Sequence, residues 1–255
     1  MEIDVALVPG EARPSRAGVR IVIDEIRAST TITTLLDLGC RDLTIAGAVG
    51  VAKRWAATTG SLLAGERHAL RPPGFDFDNS PTVLSRSHDR IRGRSVVLCT
   101  TNGTAVLRRL RGRGRILVGC IRNASACAEA AVELAIAEGC AIQVVCAGQQ
   151  GRFNIDDAVA AGVIAGRIRD ALRAAGRAAE LTDPATAAIR LRESYPDLLT
   201  ALRESEGGRT LRRIGQEEDT AFCAEEDAST TVPEYLDGTP PRIGRFERVA
   251  AVPIA

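Results

Sequence analysis

Four short β-branched or apolar runs set the limits on what this chain can fold into. They are residues 18–24 (GVRIVID), 95–100 (SVVLCT), 114–119 (GRILVG) and 141–147 (AIQVVCA). Each runs into a polar, glycine-rich or hydroxyl-rich stretch, and each of those runs into a helical pattern. The helices are expected over about 29–38, ending at Gly39, over AVLRRLRG after Thr104, over an alanine-rich stretch from about 125 to 138, and over about 155–174. Two shorter candidates, DLTIAG and SLLAGE, lie between the first two units. Strand followed by helix, repeated, predicts an α/β fold: a three-layer α/β/α arrangement around a mixed, mainly parallel sheet. In such sheets ligands gather beyond the carboxyl ends of the strands, and the polar motifs of this chain fall there.

The chain has 255 residues, a length that suits one α/β domain. From about 182 to 240 the texture changes to charged helical segments and then a proline-rich tail, read as a helical portion packed on the same domain. The formal net charge is +1, so neither nucleic acid nor an acidic surface is the expected partner. No apolar run approaches the ~18 residues of a membrane span, and the N-terminus lacks the basic and apolar regions of a signal peptide. Seven cysteines, several inside apolar runs and none in a CxxC pair, fit buried free thiols in a reducing cytoplasm. Homo-oligomerisation stays open.

Four segments carry chemistry. In IVIDEIRASTTI, Asp24 ends a buried strand, and Arg27, Ser29, Thr30 and Thr31 open a helix whose N-terminus attracts phosphate. The bland reading is an N-cap and an Asp24–Arg27 pair. In GERHALRPPGFDFDNSP, Glu66, Asp76 and Asp78 supply oxygen ligands suited to Mg²⁺, while Asn79 and Ser80 can bind substrate or merely cap the next helix. In VVLCTTNGTAVL, Thr100, Thr101, Asn102, Gly103 and Thr104 form an expected anion cradle. In VVCAGQQGRFNIDDAVAAG, Gly148 and Gly151 flank a strand-to-helix loop, and Asp156 and Asp157 lie in the first helical turn. Capping accounts for one of these two acids; the other is free to face a metal.

Cys146 and Arg152 stand at the spacing used by cysteine phosphatases, in which a thiolate attacks phosphorus. No histidine precedes the cysteine and no Ser or Thr follows the arginine, so this route ranks below a metal-assisted one. Nucleotide P-loop, GxSxG and HExxH signatures are absent from the sequence.

Taken together, IDEIRASTTI, AGER with GFDFDNSP, TTNGT and CAGQQGRFNIDDAVAAG, in that order and at comparable spacing, resemble the ComB family of 2-phosphosulfolactate phosphatases. The resemblance extends to RTLRRIGQEEDTAFCAEEDASTTVP and so spans nearly the whole chain. It implies an α/β/α phosphatase that uses Mg²⁺ and acts on 2-phosphosulfolactate, a step toward coenzyme M. Carried over residue by residue, it implies Asp24, Arg27, Glu66 and Asp157 as catalytic, and Asp24, Glu66, Asp76 and Asp157 as metal ligands. Arg27, Ser29, Thr30, Asn79, Ser80, the 100–104 turn, Gly148 and Gly151 are then the expected phosphate contacts. Glu25 stands where the family has an apolar residue, Asp78 where glycine is usual and Asn154 where serine is common. A homologue that binds a small anion without turnover is the remaining alternative.

Overall fold

The computed structural model describes residues 1–13 and 18–246. Ten strands follow one another along the chain: β1 (Glu2–Ala6), β2 (Val19–Ile23), β3 (Asp42–Ala46), β4 (Leu62–Gly65), β5 (Ser95–Cys99), β6 (Arg115–Val118), β7 (Ile142–Cys146), β8 (Glu180–Leu181), β9 (Pro233–Leu236) and β10 (Arg242–Arg245). The helices are α1 (Ala28–Asp37), α2 (Val49–Thr59), α3 (Pro81–Ser85), α4 (His88–Ile91), α5 (Gly103–Arg109), α6 (Ala124–Glu138), α7 (Ile155–Ala174), α8 (Asp183–Ser194), α9 (Leu198–Glu204), α10 (Glu206–Arg213) and α11 (Glu217–Cys223). None of these helices is long and apolar enough to cross a membrane.

The strands form one mixed sheet in the order β4-β5-β3-β10-β9-β6-β2-β7-β1-β8. Pairing is parallel within β4-β5-β3 and within β6-β2-β7-β1-β8. The antiparallel hairpin β9–β10 joins the two groups. Alternation along the buried strands explains the layers. Val19, Ile21 and Ile23 of β2 pack with Ala128 and Ala131 of α6 and Ile164 of α7. Val22 turns the other way, into a core shared with Leu35 of α1, Leu107 of α5, and Val96 and Leu98 of β5. Val97 and Cys99 of β5 face Ala52 and Ala56 of α2. Helices therefore cover both faces, giving the α/β/α arrangement. Small residues let α8 lie close on α7: a side chain at Gly162 would collide with the Ala188 carbonyl.

The hairpin reverses strand direction between the two groups, yet the carboxyl ends of β2 and β5 meet. The contact is direct: the Gly103 N–H, in the turn after β5, donates to Asp24 Oδ2, after β2, at 2.6 Å.

One expectation needs correction, and one strand was not foreseen. The helices of the C-terminal portion stop at Cys223, and the proline-rich stretch from Pro233 supplies two central strands instead of continuing a helical cap. The N-terminal EIDVA is also a strand, β1, between β7 and β8.

Candidate active site

A cleft of about 320 Å³ opens where β2, β4, β5 and β7 end. Its walls include Asp24, Arg27, Glu66, Asn79, Thr100, Thr101, Asn102, Gly148 and Asp156. Of the expected phosphate and metal residues, Asp24, Arg27, Glu66, Asn79, Thr100, Thr101, Asn102 and Gly148 lie on this wall, and the others lie off it.

Asp24 follows β2 directly. Its Oδ2 accepts from the Gly103 N–H at 2.6 Å and its Oδ1 from the Ala28 N–H at 3.3 Å. Only glycine tolerates that approach, since a Cβ at 103 would stand 2.9 Å from Asp24 Oδ2. Glu66 follows β4. Its Oε1 accepts from the Thr101 N–H and Oγ1–H, both at 2.8 Å, and its Oε2 from the Ala69 N–H at 3.0 Å. The 100–104 turn is thus a cradle, as its sequence suggests, but two of its amides hold carboxylates of this chain.

Of the acid pair opening α7, Asp156 lies on the cleft wall and Asp157, the one implied by the family resemblance, does not. Asp157 is buried behind the cleft, where Oδ1 accepts from the Glu25 N–H and Oδ2 from the Gly148 N–H, each at 2.8 Å. It ties the loop after β7 to the loop after β2. Asp156 faces the cleft, is fully buried, and neither carboxylate oxygen has a hydrogen-bond partner among the described residues. The side-chain carbonyl oxygens of Asn79 and Asn154, also on the cleft wall, are likewise unpartnered.

Arg27 is 4% exposed. Its Nη1 donates to Asp219 Oδ2 at 2.7 Å and to Gln216 Oε1 at 2.5 Å, and its Nη2 to the Ala69 carbonyl at 3.1 Å. Asp219, on α11, also accepts from Ser80 Oγ–H at 2.7 Å and the Thr82 N–H at 3.1 Å. One buried carboxylate therefore fixes both the arginine and the start of α3.

Several expected contacts serve the scaffold. Ser29 Oγ accepts from the Asp24 N–H, Thr30 Oγ1 donates to the Glu25 carbonyl, and Thr104 shares a hydrogen bond with Thr100. Ser80 caps α3. Asp76 is exposed and accepts from the Leu63 N–H at 2.8 Å, outside the cleft. Gly151 is exposed and does not line the cleft. The Cys146 route fails on geometry: the thiol is buried outside the cleft, burial and then the Asp157 and Asp156 charges push it well above its ordinary range, and Arg152 is exposed away from the wall.

Sequence reasoning missed the wall built by α10, with Gly207, Thr210 and Leu211. It also missed Asp219, which sits in an ordinary acidic helical turn. Neither has a local signal, because both reach the site through tertiary packing of α10 on α7 and α11 on α3.

Burial raises the acids of the site. Asp24 is pushed to about 6, against the opposing pull of the Ala28 and Gly103 amides. Asp156 rises to about 7, helped by the charges of Asp24 and Glu206. Glu25, behind the cleft, rises to about 8 despite accepting from the Ile121 N–H. Desolvation disfavours each charge and mutual repulsion adds to it. Among the described residues, no three His, Cys, Asp or Glu side chains form a ready-made metal cage. The oxygens left without a partner on the cleft wall, on Asp156, Asn79 and Asn154, are the atom type that hard divalent cations take.

An α/β sheet whose strand ends gather buried carboxylates and a fixed arginine defines an enzyme that handles small, charged substrates. The profile of the family described as 2-phosphosulpholactate phosphatase matches residues 6–238. A protein of Deinococcus radiodurans named probable 2-phosphosulfolactate phosphatase is 38% identical over 240 residues, covering 93% of this chain and 95% of its own. Proteins of the same name from Thermus thermophilus and Thermotoga petrophila are 36% and 34% identical, over 91% and 92% of this chain and 94% and 96% of theirs. The chain belongs to the 2-phosphosulfolactate phosphatase family, and is a phosphoric monoester hydrolase.

Proposed function

We propose that this chain hydrolyses 2-phosphosulfolactate, the compound in its relatives' names, to sulfolactate and inorganic phosphate, with Mg²⁺ as cofactor. The observation that carries the reading is the charge of the cleft. Asp24, Glu66 and Asp156 line it, and the one arginine among its described lining residues, Arg27, is already paired with Asp219. A substrate carrying phosphate, sulfonate and carboxylate is repelled by such a wall unless a cation stands between them.

Asp24 and Asp156 are the residues that fit the cation. Both are buried on the wall, and neither carboxylate oxygen of Asp156 has a hydrogen-bond partner among the described residues. When bound, Mg²⁺ supplies charge neutralisation on the phosphoryl oxygens. The chain's own residues do the rest. Glu66 holds the Thr101 turn against the 66–69 loop. Arg27, kept rigid by Asp219, presents a fixed positive group to the anion. Gly207, Thr210 and Leu211 of α10 form one side of the cleft. Water attacks phosphorus and gives up a proton, the P–O ester bond breaks, and the leaving alkoxide takes up a proton in its place to become the sulfolactate hydroxyl, so that none is gained or lost overall.

Phosphate release from 2-phosphosulfolactate is the direct test. The expected result is activity with Mg²⁺, loss in EDTA and recovery on adding Mg²⁺ back, with no effect of iodoacetamide. Full activity in EDTA rejects the cation, and tight anion binding with no release rejects turnover.

A further inference from the structure

A second cavity, of about 610 Å³, shares no lining residue with the cleft. Ala105, Arg108, Arg109 and Arg111 line it from α5 and the turn after it, Trp55 and Val51 from α2, and Tyr235 with Thr239 from the β9–β10 hairpin. We propose that this cavity binds a small phosphorylated molecule carrying a planar ring, a ligand of the nucleotide class.

Charge is the first reason. Arg108 and Arg109 have no carboxylate within ion-pair distance among the described residues. The acid that borders the cavity, Asp237, is engaged by Arg111 at 3.4 Å and by the Gly112 N–H at 3.0 Å. Arg67 adds to the positive side, donating to the carbonyl of Gly47 on the cavity wall at 2.8 Å. Unpaired guanidinium groups facing a concavity suit phosphate, which they grip in bidentate fashion. The second reason is a buried polar group without a partner. Tyr235 is 6% exposed and its hydroxyl makes no hydrogen bond among the described residues, whereas buried hydroxyls in folded proteins are nearly always satisfied. The third is the ring. Trp55 and Tyr235 give the cavity two aromatic faces in a chain that is only 3% aromatic. The volume falls within the roughly 300–1,000 Å³ of small-molecule sites.

Trp55 is the only tryptophan of the chain, so its fluorescence reports on this cavity and not on the catalytic cleft. With the full-length protein in EDTA, titration with ADP is expected to change that fluorescence with a Kd of about 1 mM or tighter. Ribose 5-phosphate, which lacks the ring, is expected to bind at least about tenfold more weakly, a difference of ~1.4 kcal/mol. The double variant Arg108→Ala/Arg109→Ala is expected to lose the response while keeping its circular dichroism spectrum and phosphatase activity. The assignment is overturned by no response to ADP, by a response that survives in the double variant, or by equal responses to ADP and ribose 5-phosphate. It is equally overturned if light scattering shows a dimer that dissociates in the double variant, because the arginines then face a second copy of this chain.

Discussion

At the scale of single residues, the two acids that open α7 separate structure from chemistry. They are adjacent in sequence and equally buried, at 0% and 1% exposure. Successive helical positions point about 100° apart, so one can take the backbone amides behind the cleft while the other faces the cleft. Nothing in ASN-ILE-ASP-ASP as a string tells which does which; the choice depends on where the loops after β2 and β7 place their amides. Asp24 and Glu66 were readable because each ends a strand, whereas Asp76 reads like them and instead fastens its own loop. The contrast yields a paired prediction. Asp156→Asn should lower kcat by about 10²–10³ with Tm unchanged or raised, since it removes a buried charge that Asp24 repels. Asp157→Asn should cost about 1–3 kcal/mol of stability, because an amide NH₂ then faces a backbone N–H that had an acceptor. Thermal melts and steady-state kinetics on both variants check this; equal loss of activity with equal loss of stability in the two would contradict it.

At the scale of elements, the strand-loop-helix units announced themselves, and α7 runs over the residues its pattern suggests. What stayed hidden was held together at long range. The strands β9 and β10 have a proline at one end, a glycine near the other and only a short hydrophobic alternation, and β9 meets β6 at a single pair, Leu117 with Glu234. The α10 wall has no motif because its role is proximity. Gly207 shows how close it comes: a Cβ there would stand 2.6 Å from Asp156 Oδ2 and 3.2 Å from Ile26 Cβ. Gly207→Ala should therefore move stability and activity apart. Alanine favours the helix by up to ~1 kcal/mol, so Tm should hold or fall little. The displaced carboxylate should cost about 10²-fold in kcat, as small misplacements of reacting groups do. Wild-type activity in this variant would mean that α10 yields and Asp156 need not hold its place. The neighbouring α11 is tested through Asp219→Ala, which strands the buried Arg27 guanidinium and should cost about 3–5 kcal/mol. Asp219→Asn, which keeps an acceptor, should be much milder in urea denaturation.

At the scale of the whole molecule, the cleft concentrates buried acid in a chain whose net charge is only +1, and that imbalance makes the metal-free fold sensitive to pH. Asp24, Asp156 and Glu25 stand at about 6, 7 and 8 in the folded protein, against ordinary values of 3.8, 3.8 and 4.5. Each folded-state value is raised, so between the ordinary value and the raised one the folded state binds more protons than the unfolded chain. The contribution of these groups is fully present below about pH 4 and is lost as pH rises through about 6 to 8. Urea denaturation in EDTA should therefore give a lower midpoint at pH 8.5 than at pH 6. Glu25→Gln should flatten the upper part of that fall, since a neutral side chain can still accept from the Ile121 N–H. A bound divalent cation favours the charged forms of the carboxylates it touches and stabilises by mass action. Adding Mg²⁺ should thus raise the midpoint more at pH 8.5 than at pH 6. A midpoint that rises with pH in EDTA would show that the acids ionise freely, and would remove the electrostatic reason for placing a cation among them.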